Sequence, residues 1–188
     1  MILPKDFSLE RYGLKVRLVK VEDAEFILKL RTDPIKGRYI GRTDDTISSQ
    51  INWINDYKVR ECLGEDYYFF YSFQDKPAGV NRIYNIHGTT FIHGSWIFSN
   101  EVPPFCSLAA AVIAREIAYE DLNLLLEEDT SGIHQDNSSV LEVSRILGVE
   151  FTGVRKSEEG DFLTGRLTKE AFENNKNKLL RIIPKKYL

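Results

Sequence analysis

The segment from Leu108 to about Asp121 is apolar on most of its sides, and this feature constrains the fold more than any other. Ser107 stands directly before it and is expected to cap it as a helix. The apolar residues within it are Ala109, Ala110, Ala111, Val112, Ile113, Ala114, Ile117 and Ala118. Because a helix that is apolar all round is buried on more than one flank, the rest of the chain has to build a core around this segment.

Several segments before residue 100 have the pattern of β-strands. Leu14–Val19 alternates apolar and basic residues, which is the period of a strand. Tyr67–Phe73 is an aromatic run with high strand propensity, residues 74–79 form a turn, and Val80–Tyr84 returns as a strand. With Thr89–Phe98 as the next strand, these segments predict an antiparallel meander.

Helices surround and follow this meander. The other expected elements are, in chain order, a helix that begins near Glu22 and is ended by Pro34, a helix from Ile47 to about Arg60, a short strand within Leu124–Ile133, a helix that starts at Asn137 or Ser139 and ends at Gly148, and strands at Val149–Arg155 and Asp161–Leu167. Strands separated by a helix imply at least one parallel pair. The sequence therefore predicts an α/β (α+β) fold with a mixed, mostly antiparallel sheet, flanking helices and the order βααβββαβαββ.

The composition is that of a globular protein, with 43% hydrophobic and 28% charged residues in a chain of 188. We expect a single domain over residues 1–188, with a basic tail or helix over 169–188. No apolar run approaches the roughly 20 residues that span a bilayer, and residues 1–6 lack the layout of a signal peptide. Cys62 and Cys106 lie in unlike contexts, so we expect no disulfide and a cytoplasmic protein. A net charge of −3 argues against a nucleic-acid partner.

The element order, from roughly Tyr12 to Thr168, resembles the fold of the GNAT N-acetyltransferases. Val16–Ala24, followed by Arg31 and Pro34, is similar to the N-terminal strand and helix of that family. A second similarity lies in a later helix and is carried by Asn137, Val140, Ser144 and Gly148.

A third similarity begins at Gln50 and Trp53, continues to Glu61 and resumes at Asp66–Phe69. Its Gln-x-x-Trp pattern resembles a GNAT branch linked to surface-sugar biosynthesis. The resemblance implies an N-acetyltransferase that uses acetyl-CoA as co-substrate and a small amine as acceptor, in particular a nucleotide-linked amino sugar. The amine would attack the thioester directly.

Two alternatives to this function stay open. One is an acetyltransferase whose acceptor is a protein N-terminus or an aminoglycoside. The other is a non-catalytic, acyl-CoA-binding regulatory domain. In each case the expected partner is a small molecule or a protein amine, with neither nucleic acid nor a membrane span involved, and the oligomeric state is left open between monomer and homodimer.

The phosphate-binding loop departs from the family pattern. GNAT enzymes carry a Gln/Arg-x-x-Gly-x-Gly/Ala stretch there, whereas the aligned segment Glu101–Ser107 has neither glycine nor a basic residue. The N-terminus of the following helix still offers N–H groups and a favourable dipole for an anion. The resemblance therefore implies coenzyme A contacts at Phe105, Cys106 and Ser107, and a further one at Asn137.

Gly94 interrupts the strand Thr90–Phe98, and a glycine inside a strand often marks a bulge. The resemblance implies that this bulge makes the strand diverge from its neighbour and admits the pantetheine arm of coenzyme A. The backbone of Trp96, Ile97, Phe98 and Ser99 would then line the thioester.

Two residues are candidates for proton transfer. His93, beside the expected bulge, is the preferred base, because an unperturbed histidine has a pKa of about 6.5; His87 and His134 are alternatives. Ser144 occupies the position where the family often places a tyrosine that protonates the departing thiolate, so the resemblance implies that role for its hydroxyl. No histidine or cysteine spacing predicts a metal site.

The acceptor pocket is expected between the second helix and the meander, with candidates Trp53, Tyr57, Arg60, Tyr68, Tyr71, Arg82 and Tyr84. The aromatic rings would stack on sugar faces, with core packing as the alternative. Arg60 and Arg82, for which we expect no role in the core, would pair with a phosphate or carboxylate of the acceptor. Glu61, Glu65 and Asp66 are expected to be solvated charges.

Overall fold

The structure, a computed structural model, describes residues 2–41 and 44–188. Its strands are β1 Ser8–Arg11, β2 Leu14–Leu18, β3 Asp66–Phe73, β4 Lys76–His87, β5 Thr90–Phe98, β6 Leu126–His134, β7 Glu150–Ser157 and β8 Gly160–Thr168. Its α-helices are α1 Ala24–Arg31, α2 Ile47–Leu63, α3 Phe105–Glu116, α4 Ser138–Leu147 and α5 Lys169–Leu180.

The strands form one sheet in the order β1-β2-β3-β4-β5-β6-β8-β7. Neighbouring strands are antiparallel except β5 and β6, which are parallel. The predicted mixed sheet is therefore confirmed, and the predicted element order is present within it. The structure adds β1, which pairs with β2 through the two-residue turn Tyr12-Gly13, and both turn residues have positive φ, as a tight hairpin turn requires.

Two hydrophobic cores lie on opposite faces of the sheet. The larger contains α3 and buried residues of α4 and α5, together with Tyr67, Phe69 and Tyr71 of β3. The smaller contains α1 and α2 with Tyr68 and Phe70 of the same strand. Alternate residues of the aromatic run therefore fill different cores, which explains why this strand is apolar throughout.

The helix α3 is buried as its sequence predicts, with every residue from Ala109 to Ala114 fully inaccessible to solvent. It begins earlier than expected, however, because Pro104 is the residue at its N-cap position. The backbone N–H groups of Cys106 and Ser107 donate to the carbonyls of Pro103 and Pro104. Ser107 thus lies within the first turn, and its predicted role as a cap is wrong.

The basic C-terminal region is helical over α5. Thr168 caps it by accepting a hydrogen bond from the backbone of Ala171, and Phe172 and Leu179 are buried in the larger core. Lys176 reaches the buried carboxylate of Glu116 on α3 at 3.1 Å. One basic residue of this region therefore binds an acidic partner in the protein.

The strand β5 contains the predicted bulge. Val80 pairs with Ile97 and Arg82 pairs with Gly94, so Ser95 and Trp96 both stand opposite a single residue of β4. Before the bulge, Phe91 faces the larger core, and after it Ile97 faces the smaller one. Because one extra residue shifts the alternation by one, the two halves of β5 present their odd-numbered side chains to opposite faces.

A wedge opens between β5 and β6 beyond the first two residues of each strand. The strands pair only at Thr90 with Leu126 and at Phe91 with Glu127, and no further pair joins them in the described chain. The bulge lies on the open side of this wedge. We call this gap, bounded by residues 92–98 of β5 and 128–134 of β6, the β5–β6 wedge.

Candidate active site

The β5–β6 wedge opens into a cavity of about 770 Å³. The strand β5 contributes His93, Gly94, Ser95 and Trp96 to its wall, and α4 contributes Asn137, Val140 and Ser144. From β6 the wall includes Asp129 and the residues of the turn that follows it. Two side chains in this wall, His93 and Trp96, have buried nitrogens, Nε2 and Nε1, without a hydrogen-bond partner among the described residues.

A second cavity of about 540 Å³ lies beside the first, against α2. Its lining residues are Arg31, Asp44, Ser49, Gln50, Trp53, Tyr68 and Arg82. The Gln-x-x-Trp pattern therefore contributes both of its named residues to one wall. Arg31 and Arg82 line both cavities, so these two residues lie between the cavities.

The predicted acceptor residues divide into two groups. Trp53 and Tyr68 line the smaller cavity, Tyr84 lines the larger one and Arg82 lines both, whereas Tyr57 and Arg60 line neither. Tyr57 is fully buried and stacks under Trp53 with the ring planes 7° apart. Its hydroxyl donates to Glu61, so Tyr57 supports the cavity wall from behind.

Both arginines of the predicted pocket bind Asp66, which is 1% exposed. Arg60 donates to it at 3.1 Å through Nε, and Arg82 donates through Nε at 3.1 Å and Nη2 at 2.7 Å. The expectation of a solvated charge is wrong for Asp66 and also for Glu61, which is 5% exposed and accepts hydrogen bonds from Tyr57 and Lys58. The expectation that these arginines lack a structural partner is wrong as well. One carboxylate against two guanidinium groups still leaves a net positive charge at the cavity edge.

The Arg82 guanidinium is also held by aromatic rings. Its central carbon lies 4.9 Å from the centroid of Trp53 and 4.5 Å from that of Tyr84. The ring of Tyr84 passes over Gly94, where an added Cβ would lie 3.0 Å from it. The glycine in β5 therefore allows this ring to lie against the bulged strand.

His93 is 9% exposed, on the same face of the sheet as α3. Burial and the nearby Arg115 guanidinium hold its pKa well below the usual range, so the ring is neutral. Arg115 in turn makes two hydrogen bonds to Glu127, at 2.7 Å and 2.8 Å. The structure thus places His93 in the cavity wall next to a buried ion pair, and its role as base stays a prediction.

Ser144 also lies in the cavity wall, on α4. Its hydroxyl donates to the carbonyl of Val140 at 2.9 Å, within its own helix. The hydroxyl would have to rotate to reach a departing thiolate, and its role as proton donor stays a prediction. Asn137 precedes the same helix at the N-cap position, without a side-chain capping bond, and its amide also faces the cavity.

No group of three or more His, Cys, Asp or Glu residues that could hold a metal ion occurs in the described ranges. In those same ranges, no helix is both long and apolar enough to cross a membrane.

Comparison with solved structures gives close matches to acetyltransferases. FdhC in its apo form, a nucleotide-linked sugar GNAT, is 28% identical with a TM-score of 0.78, and the match covers 95% of this chain and 99% of FdhC. No protein-family profile and no curated protein sequence matches the chain. This chain has the fold of the GNAT acetyltransferases, and its likeness to FdhC supports an N-acetyltransferase.

Two further solved structures share the fold of this chain at lower identity. Mycobacterium smegmatis RimJ in complex with CoA-disulfide is 17% identical with a TM-score of 0.76, and the match covers 94% of this chain and 92% of RimJ. The ribosomal-protein-S5-alanine acetyltransferase from Vibrio fischeri is 17% identical with a TM-score of 0.73, over 88% of this chain and 98% of that one.

The predicted thioester-binding segment of the acetyltransferase lies at the end of β5. Ile97 and Phe98 are buried, and the Ser99 N–H donates to the carbonyl of Ala78 at 2.8 Å. The carbonyl of Phe98 accepts a hydrogen bond from the ammonium of Lys36, whose pKa is lowered by burial. The Lys36 ammonium therefore ties the loop after α1 to this segment.

The predicted phosphate-binding residues of the acetyltransferase lie apart from both cavities, at the first turn of α3. Phe105 stacks on Tyr187 near the C-terminus, with ring centroids 5.4 Å apart. Cys106 is fully buried, and burial raises the pKa of its thiol to about 11, so this cysteine is not a nucleophile. Ser107 is partly buried beside it.

Sequence reasoning missed Asp129, a carboxylate in the wall of the larger cavity. Burial is the main cause that raises its pKa to about 6. The backbone N–H of Gly132 donates to its Oδ1 at 2.8 Å, and this glycine has a φ of 81°. The Asp-x-x-Gly spacing, typical of a turn, was the sequence signal that could have drawn attention to this residue.

Proposed function

We propose that the chain acetylates the amine of a nucleotide-linked amino sugar, with acetyl-CoA as donor. The observation that carries the proposal is that the cavity of the β5–β6 wedge and the smaller cavity share two wall residues, Arg31 and Arg82. The thioester would lie at the bulge, and the acceptor would extend from it towards α2. The 28% identity to FdhC, a nucleotide-linked sugar GNAT, supports the same substrate class.

The bulged strand supports the acetyl-transfer step. Beyond Phe91 the edge of β5 that faces β6 is free of strand pairing in the described chain, so its backbone groups can bind a ligand. N–H groups aimed at the thioester oxygen would stabilise the negative charge that develops there during attack. Ile97, Phe98 and Ser99 would hold the donor, with Asn137 at the start of α4 as a further contact.

The smaller cavity supports a sugar nucleotide as acceptor. Trp53, which is partly exposed, offers apolar ring surface for a sugar, and the buried Tyr68 packs edge-on against it in the cavity wall. Arg82 offers planar, bidentate donors for a diphosphate, and Asp66 fixes its orientation. Arg60 shares Asp66 with Arg82, so it adds positive charge behind the cavity.

The proposal also places the enzyme in the cytoplasm, where acetyl-CoA is a common metabolite. Cys62 and Cys106 are both free thiols, which agrees with a reducing compartment.

Acetyl-CoA should raise the melting temperature of the protein, because a ligand that binds only the folded state stabilises it by mass action. At about a hundredfold excess over the dissociation constant the gain in free energy of unfolding is expected to be about 2.7 kcal/mol. Thermal-shift measurements with acetyl-CoA, and with ADP as a nucleotide that lacks the pantetheine arm, test this. An equal response to both ligands, or none at millimolar acetyl-CoA, would remove the donor from the proposal.

Nucleotide-linked amino sugars should be the better acceptors in a panel that also contains aminoglycosides and short peptides with free α-amines. The measurement is kcat/KM from release of free thiol, because this ratio reports discrimination between competing substrates. Peptide turnover about a hundredfold above any sugar, equivalent to about 2.7 kcal/mol, would replace the sugar with a protein N-terminus and leave the acetyltransferase reaction intact.

A further inference from the structure

The register of β5 and β6 places Asp129 across the wedge from the bulge. Phe91 pairs with Glu127, so the next residues on the same side of each strand are His93 and Asp129. The strands are no longer paired at this point, and both residues line the larger cavity with Gly94 and Ser95. Asp129 is thus the first residue of β6 beyond the paired region whose side chain can meet a ligand held at the bulge.

Asp129 is held in a fixed position. Its carboxylate accepts hydrogen bonds from the backbone of Ser131 and Gly132, in the turn that interrupts the pairing of β6 with β8. Asp129 is partly buried. The backbone of its own turn holds the carboxylate, and the residue also lines the larger cavity. A side chain that is fixed by its own turn is well suited to meet a substrate at a defined distance.

The charged and titratable groups nearest Asp129 come from three elements. Glu127 precedes it on β6, Arg115 faces it from α3, and Tyr84 approaches from β4 with a hydrogen bond to Ser131. The other titratable side chains in the cavity wall are Arg31, Arg38, Tyr39, Arg82, His93, His134, Arg155, Glu159 and Arg166. Since the Arg115 guanidinium is bonded to Glu127, it does not neutralise Asp129 by a direct ion pair.

His93 and Asp129 differ in how well they can hold a proton. A protonated His93 would carry a buried positive charge next to the Arg115 guanidinium. Because that arrangement is unfavourable, the ring stays neutral. A proton on Asp129 removes a buried charge, so protonation is favourable at mildly acid pH, with a pKa of about 6. A group with that pKa is ionised at neutral pH and can still accept a proton, as a general base must.

We propose that Asp129 is the general base, the residue that takes a proton from the ammonium group of the acceptor. This assignment rests on the proposed function, since it needs an amine bound at the bulge. The carboxylate takes one proton, and the neutral amine then attacks the thioester carbon, so that a C–N bond forms and the C–S bond breaks. The second proton lost by the nitrogen neutralises the departing thiolate, and Asp129 returns its proton to solvent.

Asp129→Asn separates this role from that of a turn residue. An asparagine has the same shape and keeps an oxygen that accepts the Gly132 N–H, but it cannot take a proton at neutral pH. We expect kcat to fall by about 10²–10⁴-fold at neutral pH and the limb of the pH–rate profile near pH 6 to disappear. The affinity for acetyl-CoA, measured by calorimetry, should change by less than about twofold, since only the proton-transfer step is affected.

Glu128→Gln is the matched control, because Glu128 is the adjacent carboxylate on β6 and is exposed. It should leave both kcat and the pH profile unchanged. If Asp129→Asn keeps kcat within about threefold of the wild type and retains the limb near pH 6, another group is the base and the assignment is overturned while the proposed function stands. A wild-type protein that binds acetyl-CoA but acetylates no amine would overturn the proposed function, and the assignment with it.

Discussion

Replacing Arg115 with leucine should lower the free energy of unfolding by about 3–5 kcal/mol, because it leaves the carboxylate of Glu127 buried without its cation. The two side chains are only 5% and 8% exposed, so the carboxylate left behind is poorly hydrated. Arg115 also donates to the carbonyl of Ala111, one turn earlier in α3, and this bond is lost as well. Denaturation by urea, followed by circular dichroism, measures the change.

Two variants serve as controls for this result. Arg166→Leu removes an arginine from an exposed ion pair with Glu150 and should cost less than about 1 kcal/mol, since surface pairs contribute little. Replacing Arg115 and Glu127 together with leucine should recover most of the loss, because no charge is then left buried. A single Arg115→Leu variant as stable as Arg166→Leu would show that Glu127 is not confined in an apolar environment.

Asp129→Asn should stabilise the fold at neutral pH, in contrast to most substitutions of partly buried residues. The carboxyl pKa rises from 3.8 to about 6 on folding, so the folded state binds protons more tightly than the unfolded state. Stability therefore falls as the pH rises from about 4 to 6, and at neutral pH the ionised carboxylate costs the fold at most about 3 kcal/mol. The neutral amide does not carry this cost.

The gain from Asp129→Asn should accordingly be largest above about pH 7 and should disappear near pH 4, where the wild-type carboxyl is protonated in the folded state. Melting temperatures of both proteins across this range measure it, with Glu128→Gln as the exposed control. A variant that is less stable than the wild type at every pH would mean that the turn requires the carboxylate. A variant that is more stable but less active than the wild type is the expected outcome when a catalytic carboxylate is replaced.

The parts of the fold that follow from local patterns were predictable. The sequence of α3 is apolar on most sides, which predicts a buried helix, and the aromatic run of β3 predicts a strand that is buried on both faces. β1 was missed because Ser8–Arg11 is short and partly exposed, and its turn, Tyr12-Gly13, lacks the Asn-Gly or Asp-Gly signature of hairpins.

The parts of the site that depend on distant partners were not predictable. Asp66 and Arg82 are 16 residues apart, and Arg115 and Glu127 belong to different elements, so nothing local marks these charges as buried. The cap at α3 was misplaced because Pro103 and Pro104 start the helix themselves, and proline suits a first turn. Asp129 was missed because its position in the cavity wall depends on where β5 and β6 stop pairing, and no local sequence pattern shows that point.

The bulge in β5 brings the far end of the strand into contact with both cores. Phe91 packs in the core around α3, whereas Ile97, six positions later, packs in the core around α1 and α2, and Phe98 returns to the core around α3. A substitution that repacks the smaller core would therefore reach β5 through Ile97, at the end proposed to bind the donor, and not through Phe91. The position of the proposed donor can thus be adjusted by core residues that contact neither substrate.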